Sequence, residues 1–311
     1  MNRRTFLAAV AAAPFALREA AASAAPSPHA LVTCDAESRL ALVDLASFRV
    51  VGAIATPPDP RAIEQVGDRA VVCHTAAGAV SVVDRRRVHH VLHGFEEPRY
   101  VAAHRDRRHA FVTDSGSSSV TALDVVAGRV LGRARLGGWA RHITLDRAGS
   151  RLWVGLGSAA ARVAVVDVSD PSRPVHAATV PTPFLSHDVG FAPDGGVWVT
   201  SGEHGETAIF DARGRLRSRH RADAAPQHVT FSPQVGYVTS GEDGTSKVQT
   251  LDGRVLRTTA IPRGSYNVQH GEGLVVTPSL DRGTLAVLDA GGRLLHVVDV
   301  AGSCHDACFI A

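Results

Sequence analysis

The sequence predicts an all-β protein, a seven-bladed β-propeller, from the spacing of one short motif. An apolar residue followed by aspartate closes a strand-like segment seven times, at Asp44, Asp84, Asp124, Asp167, Asp211, Asp252 and Asp289. The successive spacings are 40, 40, 43, 44, 41 and 37 residues, the length of one blade of four short strands with their turns. Helical periodicity is absent after residue 24, so the repeat unit is made of strands. We expect each aspartate to accept backbone hydrogen bonds in the turn after its strand.

A second apolar strand lies upstream of each aspartate, within the same repeat unit. The seven segments are Ala30–Thr33, Ala70–Cys73, Ala110–Thr113, Leu152–Gly155, Val197–Thr200, Gly236–Thr239 and Leu274–Thr277. They resemble the Tyr-Val-Thr-Asn strands of the YVTN-type seven-bladed propellers, and the resemblance covers nearly all of the chain from residue 29 onward. Such a resemblance specifies a fold but leaves the function open.

Propellers with this repeat style include proteins similar to lactonases and streptogramin lyases, which use channel residues around a divalent metal. Others resemble exported zinc metallochaperones, in which a propeller holds zinc for an uptake system. The present chain departs from the metallochaperones at its N-terminus, where only His29 precedes the first strand. The resemblance therefore implies metal binding more directly than metal handover.

The two ends of the repeat predict how the ring closes. After residue 28 the chain begins with a second strand, Ala30–Thr33, so the first blade lacks its innermost strand. The C-terminus carries an unassigned strand that begins at His305. We expect this last strand to complete blade 1, which removes both free sheet edges. The propeller is thus assigned to residues 29–311.

The N-terminal segment resembles a twin-arginine export signal. Arg3 and Arg4 precede a short apolar stretch from Phe6 to Leu17, and Ala22–Ala24 offers the small residues that a signal peptidase requires. We assign residues 1–24 to the signal and 25–28 to a short linker. The sequence therefore predicts a protein exported to the periplasm or the extracellular space.

Composition excludes several function classes. Removal of residues 1–24 takes away three arginines and one glutamate and lowers the formal charge from +3 to +1, which argues against a nucleic-acid partner. The remaining chain has no apolar run long enough to span a membrane. Met1 is the only methionine, so the mature protein has no thioether ligand for copper. The only lysine, Lys247, lies beside a polar turn, where we expect it to be solvated.

Histidine recurs at one position of the repeat, the entrance of the innermost strand. The residues at this position in blades 2 to 7 and then blade 1 are Ala62, Tyr100, His142, His187, His228, Asn267 and His305. Inner strands line the channel, so imidazoles from adjacent blades could meet on one zinc or copper(II) ion. The alternative is that an ancestral blade passed on a histidine with no function. We predict a metal site made of His142, His187, His228, His305 and Asn267, with His74 of blade 2 as a further candidate.

Two of these histidines precede aspartate, in the pairs His187-Asp188 and His305-Asp306. Strand alternation directs neighbouring side chains to opposite faces, so we expect both aspartates to orient neighbouring loops instead of binding the ion. If the protein is an enzyme, the catalytic candidates are His187, His228 and Glu203. The Ser-Gly-Glu segment that contains Glu203 also has a simpler explanation as a turn.

Four cysteines follow the signal segment: Cys34, Cys73, Cys304 and Cys308. Disulfides persist outside the cytoplasm, and Cys34 and Cys304 fall on paired strands at the ring seam. We predict a disulfide between these two residues, with thiolate ligation of a metal by the Cys-His pairs as the alternative.

The sequence leaves three functions open. The first is an exported, monomeric propeller that binds a transition ion, zinc or alternatively copper(II), for storage or delivery. The second is a metal-dependent lyase or hydrolase that uses the same channel site on a small molecule. The third is a metal-free scaffold that binds a protein partner at a propeller face.

Overall fold

The computed structural model describes residues 27–310, apart from residues 158, 159 and 223 and the side chain of Glu203. The predicted signal segment, residues 1–24, lies outside this part of the chain. The described residues form seven four-stranded antiparallel sheets arranged as the blades of one ring. The predicted seven-bladed β-propeller is therefore confirmed.

Each blade runs outward from an innermost strand at the channel. The innermost strands, in blades 1 to 7, are β28 (Ala307–Ile310), β4 (Pro60–Val66), β8 (Pro98–Ala103), β12 (Ile143–Leu145), β16 (Val189–Phe191), β20 (His228–Phe231) and β24 (Gln269–Gly271). The second strands are β1 (His29–Cys34), β5 (Arg69–His74), β9 (His109–Asp114), β13 (Arg151–Gly155), β17 (Val197–Thr200), β21 (Val235–Ser240) and β25 (Leu274–Pro278).

The two outer strands of each blade follow directly in the chain. The third strands are β2 (Arg39–Asp44), β6 (Ala79–Val83), β10 (Ser119–Asp124), β14 (Arg162–Asp167), β18 (Glu206–Phe210), β22 (Thr245–Thr250) and β26 (Thr284–Asp289). The outermost strands are β3 (Arg49–Ala55), β7 (Val88–His93), β11 (Arg129–Arg135), β15 (Val175–Pro181), β19 (Leu216–Arg221), β23 (Val255–Ala260) and β27 (Leu294–Asp299). Among the elements that the described residues define completely, two are single-turn 3-10 helices in loops, Asp35–Glu37 and Gly202–His204. No helix in the described ranges has the length and apolar character needed to span a membrane.

The C-terminal strand closes the ring as predicted. Strand β28 pairs antiparallel with β1, with Ala30 opposite Phe309 and Val32 opposite Ala307. One further backbone bond, from the Thr33 N–H to the Asp306 carbonyl at 2.9 Å, extends this pairing to the channel entrance. Closure by the chain's own end leaves no unpaired inner edge at the seam.

The apolar core is divided among the seven interfaces between neighbouring blades. One cluster of buried side chains fills each interface. Large residues of the second strands occupy the widest parts, among them Phe111, Trp153, Trp198 and Tyr237, all no more than 1% exposed. Because this packing holds the blades together, the channel-facing ends of the inner strands are free to carry polar groups.

The repeated aspartates have the structural role that the motif predicts. The carboxylates of six of them accept a backbone N–H from the following turn: Asp44 from Ala46, Asp84 from Arg86, Asp124 from Ala127, Asp167 from Ser169, Asp211 from Arg213 and Asp289 from Arg293. The seventh, Asp252, accepts the hydroxyl of Thr250. These bonds fix the turn between the third and outermost strands.

Candidate functional site

The histidines lie at the channel entrances of their inner strands. His228 is the first residue of β20, His142 immediately precedes β12, and His187 lies two residues before β16. His305 and Asn267 stand two residues before β28 and β24. The five residues therefore occupy blades 4, 5, 6, 7 and 1 in ring order.

Threonine hydroxyls fix the backbone position at several of the inner-strand entrances. A threonine near the end of the second strand donates to the carbonyl that precedes the entrance residue of the next blade. The pairs are Thr33 with Arg61 at 2.8 Å, Thr113 with Arg141 at 2.5 Å, Thr200 with Gln227 at 2.7 Å, and Thr239 with Tyr266. In these four blades the threonine of the YVTN-like strand thus ties the blade to the next one, and two of the bonds hold His142 and His228 in place.

Three histidines meet in one cluster, which we call the histidine cluster: His142, His187 and His228. One ring nitrogen from each lies within 4.8 Å of the others. The ring centroids are 5.0 Å apart for His142 and His187, 4.6 Å for His142 and His228, and 5.4 Å for His187 and His228. His142 is 1% exposed, and neither of its ring nitrogens has a hydrogen-bond partner of good geometry among the described residues.

All three imidazoles are held in the neutral form. Burial, with a smaller contribution from the positive charge of Arg141, lowers the pKa of His187 to about 4. Burial also places the pKa values of His142 and His228 well below the usual range, and repulsion between the rings adds to this effect. Neutral imidazole is the form that ligates a metal, so protons do not compete for these nitrogens near neutral pH.

The aspartates that follow two of the histidines bond to the inner strand of the next blade, where we expected them from the sequence to orient neighbouring loops. Asp188 accepts backbone N–H bonds from Val189 at 2.7 Å and from Val229 of the next blade at 2.9 Å. Its carboxylate also lies 3.6 Å from the His228 ring nitrogen Nδ1. Burial raises the pKa of Asp188 to about 7. Asp188 therefore supports the position of His228 from behind the cluster.

Three of the predicted ligands lie outside the histidine cluster. The Asn267 side chain donates to the His305 carbonyl at 2.8 Å and lies 3.4 Å from its ring. Burial lowers the pKa of His305 to about 4. His74 uses both ring nitrogens for hydrogen bonds, with the Ser81 hydroxyl at 2.8 Å and the Pro58 carbonyl at 3.2 Å. The structure therefore brings together only the consecutive histidines of blades 4, 5 and 6.

The catalytic candidates divide in the same way. His187 and His228 belong to the cluster, whereas the side chain of Glu203 lies outside the described part of the chain. The backbone of the Ser-Gly-Glu turn nevertheless packs against the cluster, because a Cβ atom on Gly202 would lie 3.0 Å from the His187 ring. Gly202 also has a φ of 65°, which favours glycine.

Two further residues of the channel were not predicted as functional from the sequence. The Tyr100 ring lies 3.9 Å from the His142 ring, centroid to centroid, and 5.9 Å from that of His228. Glu64 accepts a hydrogen bond from Gln269 at 3.3 Å, and burial raises its pKa to about 7. Both line a cavity of about 280 Å³ that also reaches His142 and His228. Tyr100 holds the repeat position of the histidines, so its place was predictable, whereas no repeat marks Glu64.

A second histidine group lies on the turn between β8 and β9. Ring nitrogens of His104 and His109 and a carboxylate oxygen of Asp106 fall within 4.8 Å of one another. The Asp106 oxygen is 2.9 Å from His104 and 2.5 Å from His109. Since Asp106 is exposed and already bonded to both rings, we regard this group as a surface ion-pair cluster.

The cysteines correct one prediction. All four are buried free thiols, so the disulfide predicted between Cys34 and Cys304 is absent. The seam does make the two residues neighbours, but at hydrogen-bonding distance: the contact lowers the pKa of Cys34 and raises that of Cys304. Burial raises the pKa of Cys73 and Cys308, which keeps both as neutral thiols.

The lysine corrects another expectation. Lys247 lies within β22 and is only 4% exposed, so the expectation of a solvated lysine is wrong. Its strand extends further than the adjacent polar turn indicates. Burial lowers its pKa, and it is remote in the repeat from the entrance positions that form the histidine cluster.

Comparison with known proteins supports the fold. No protein-family model and no curated protein matches this chain in sequence. The fold is similar to a functionally unknown protein from Desulfotomaculum acetoxidans (12% identity, TM-score 0.80, covering 91% of this chain and 99% of that one). It is also similar to a protein from Lactobacillus plantarum (15% identity, TM-score 0.74, covering 92% of this chain and 100% of that one). A third similar structure is virginiamycin B lyase from Staphylococcus aureus (11% identity, TM-score 0.66, covering 78% of this chain and 84% of that one). Identities this low establish the propeller fold alone.

Proposed function

We propose that this protein binds a divalent transition ion, zinc or alternatively copper(II), through His142, His187 and His228. The observation that carries the proposal is the convergence of three neutral ring nitrogens within 4.8 Å. A buried imidazole without a hydrogen-bond partner, as at His142, costs about 1–3 kcal/mol of stability. A bound ion would satisfy that group.

The donor set fits borderline metals. Imidazole suits zinc and copper(II), whereas magnesium and calcium prefer oxygen ligands. Three histidines leave at least one coordination position for a further ligand, which is the pattern of catalytic zinc sites, while structural sites are closed by four protein ligands. The open position favours binding of a small molecule in the channel over permanent storage.

The test is metal content and zinc affinity of the purified protein, compared with three single variants. His187→Ala removes one member of the cluster, and we expect zinc affinity to fall about 100-fold or more. His305→Ala is the matched control, since it removes a channel histidine outside the cluster and should leave zinc affinity unchanged. A His109→Ala variant accounts for any weak zinc binding at the surface group.

Equal zinc affinity for wild type and His187→Ala would overturn the proposed site. A protein that contains no metal and binds none in titration would instead support a metal-free scaffold.

A metal-dependent lyase or hydrolase is the second candidate, and one observation favours it over delivery. Glu64 lines the same cavity as His142 and has a pKa raised to about 7, a value that suits a general acid or base at neutral pH. The similar fold of a virginiamycin B lyase agrees with this candidate by analogy. The test is turnover of a panel of cyclic esters by zinc-loaded protein, with Glu64→Gln as the variant.

We expect Glu64→Gln to retain zinc and to lose at least about 100-fold in kcat/KM on any cyclic ester that the wild type turns over. Zinc-loaded protein that turns over none of these esters, yet transfers zinc to an apo-acceptor, would favour delivery.

Export is proposed on the N-terminal sequence. Arg3 and Arg4 match the paired arginines of a twin-arginine signal. Replacement of both by lysine should retain the protein in the cytoplasm as an uncleaved precursor, which cell fractionation and mass analysis would detect. Release of a processed protein from the double variant would contradict this route.

A further inference from the structure

Arg141 stands beside the histidine cluster in a position that the backbone fixes on both sides. It immediately precedes His142. Its N–H donates to the Gly155 carbonyl at 2.9 Å, and its own carbonyl accepts the Thr113 hydroxyl at 2.5 Å. The backbone bonds that hold His142 in place therefore also fix the Cα atom of Arg141.

The guanidinium of Arg141 lies over an aromatic ring that it shares with a second arginine. Arg141 is 5.3 Å from the centroid of the Trp139 ring, and Arg99 of blade 3 is 5.4 Å from the same centroid. Arg99 forms an ion pair with Glu97, which also accepts the Trp139 indole N–H at 3.3 Å. Two guanidinium groups thus meet at one ring, and the Glu97 carboxylate neutralises that of Arg99.

Arg141 has no carboxylate partner within ion-pairing distance among the described side chains, and its Nε atom is buried without a hydrogen bond. Arg141 is half-buried, so its guanidinium is partly desolvated without a counter-ion, which is costly. The five N–H donors of a guanidinium suit the oxygen pairs of a carboxylate or a phosphate.

Arg141 immediately precedes His142 of the histidine cluster, so its positive charge lies at the edge of that cluster. This charge adds to the burial that lowers the pKa of His142, His187 and His228, and it partly offsets the burial that raises the pKa of Asp188. The same charge repels a metal cation placed among the three rings. An anion between the guanidinium and the ion would offset this repulsion and satisfy both groups.

We propose that Arg141 binds an anionic group, a carboxylate or a phosphate, on the ligand that the channel site takes. This inference rests on the proposed metal site, because the anion would be shared between Arg141 and the ion's open position. Binding of zinc and binding of the anion are then positively coupled, each raising the affinity for the other by the same factor.

The test measures zinc affinity by competition with a chromophoric chelator in perchlorate buffer, with and without acetate or methylphosphonate. For the wild type we expect either anion to raise zinc affinity about tenfold or more. The stronger of the two identifies the group as carboxylate or phosphate. Arg141→Met should bind zinc in perchlorate at least as tightly as wild type, because the repulsion is gone, and should show no effect of the anions.

Two further variants make the comparison specific. Arg141→Lys keeps the charge and should keep part of the anion effect. Arg99→Met removes the other guanidinium at Trp139, which Glu97 already neutralises, and should keep the whole effect. Thermal unfolding followed by circular dichroism checks that each variant is folded.

The outcomes separate this inference from the proposed metal site. Zinc binding that is insensitive to both anions, or equally sensitive in Arg141→Met, overturns the role of Arg141 and leaves the metal site standing. The protein could instead bind no zinc, while calorimetry shows that the metal-free wild type binds methylphosphonate and that Arg141→Met does not. That result overturns the metal site and supports the anion site. Absence of both overturns both.

Discussion

The carboxylate of Asp188 in blade 5 accepts a 2.9 Å hydrogen bond from the backbone N–H of Val229 in blade 6. The equivalent aspartate of blade 1, Asp306, accepts the N–H of Ile63 in blade 2 at 3.0 Å. Each carboxylate also accepts the N–H of the residue that follows it. The repeated His-Asp pair thus encodes a bond between blades, but only the bond in blade 5 ends next to a histidine of the cluster.

This difference predicts that Asp188→Asn and Asp306→Asn have the same effect on stability and different effects on metal affinity. Asparagine offers one acceptor oxygen where aspartate offers two, so each variant should lose about 1–3 kcal/mol of unfolding free energy. Asp188→Asn should also weaken zinc binding about tenfold or more, because it loosens the strand that begins at His228. Asp306→Asn should leave zinc affinity unchanged. Denaturant unfolding and zinc titration measure the two quantities, and equal zinc affinities would show that the bond does not support the cluster.

The threonine bonds between blades make a second prediction. Thr113→Val removes the hydroxyl that binds the Arg141 carbonyl and accepts the Tyr100 N–H, and should cost about 1–3 kcal/mol of unfolding free energy. Thr277 is the matched control, since its buried hydroxyl has no hydrogen-bond partner among the described residues. Thr277→Val should therefore be neutral or slightly stabilising. Urea unfolding with unchanged m-values would measure both, and a similar loss in the two variants would contradict the bonding scheme.

The fold was predictable because every blade repeats the same information. The spacing of the aspartates set the number of blades, and the unpaired strand at His305 indicated the closure. The repeat also gave the position of each histidine relative to its strand. It could not give the membership of the cluster, because that depends on which side chains reach one another across the channel. Asn267 and His305 share a repeat position with the cluster yet bind each other.

The environment of residues outside the repeat pattern could not be predicted from the sequence. His74 ends the strand β5, and only its pairing with β6 decides that its ring meets Ser81. Glu64 lies in the inner strand of blade 2, and the inner strands of the other blades carry no carboxylate at the same position. Its burial in the channel therefore depends on the closed ring. The thiols of Cys34 and Cys304 are adjacent, as the predicted ring closure requires. An alignment of strands does not give the distance between two sulfur atoms, so it could not decide between a disulfide and two free thiols.

The free thiols give a third prediction. All four cysteines are buried, so a thiol reagent such as dithionitrobenzoate should modify none of them rapidly in the folded protein. In denaturant without reductant, all four should react. A count of two in denaturant, rising to four after reduction, would show that a disulfide forms after all. Mass analysis of tryptic peptides would then identify the pair.

Burial of neutral histidines gives a fourth prediction, on the pH dependence of stability. Burial lowers the pKa of His74 from 6.5 to about 4. Between these two values the unfolded chain takes up a proton that the folded protein does not, so His74 makes the protein less stable as the pH falls from 6.5 towards 4. At 1.36 kcal/mol per unit of pKa, the loss is up to about 3 kcal/mol. Glu64, whose pKa is raised to about 7, acts in the opposite direction, since its contribution falls as the pH rises from 4.5 towards 7.

The His74→Gln variant separates these contributions. It should be less stable than wild type at pH 7, because the bonds to Ser81 and Pro58 are lost or weakened, and the deficit should shrink by about 2–3 kcal/mol on acidification to pH 4.5. His93→Gln, at an exposed position of β7, serves as the surface control and should track the wild type across the range. Urea unfolding of metal-free protein at several pH values measures the three curves. A deficit of His74→Gln that stays constant from pH 7 to 4.5 would mean that the folded protein protonates His74 as readily as the unfolded chain, and the ring would then have to leave its buried site between Ser81 and Pro58.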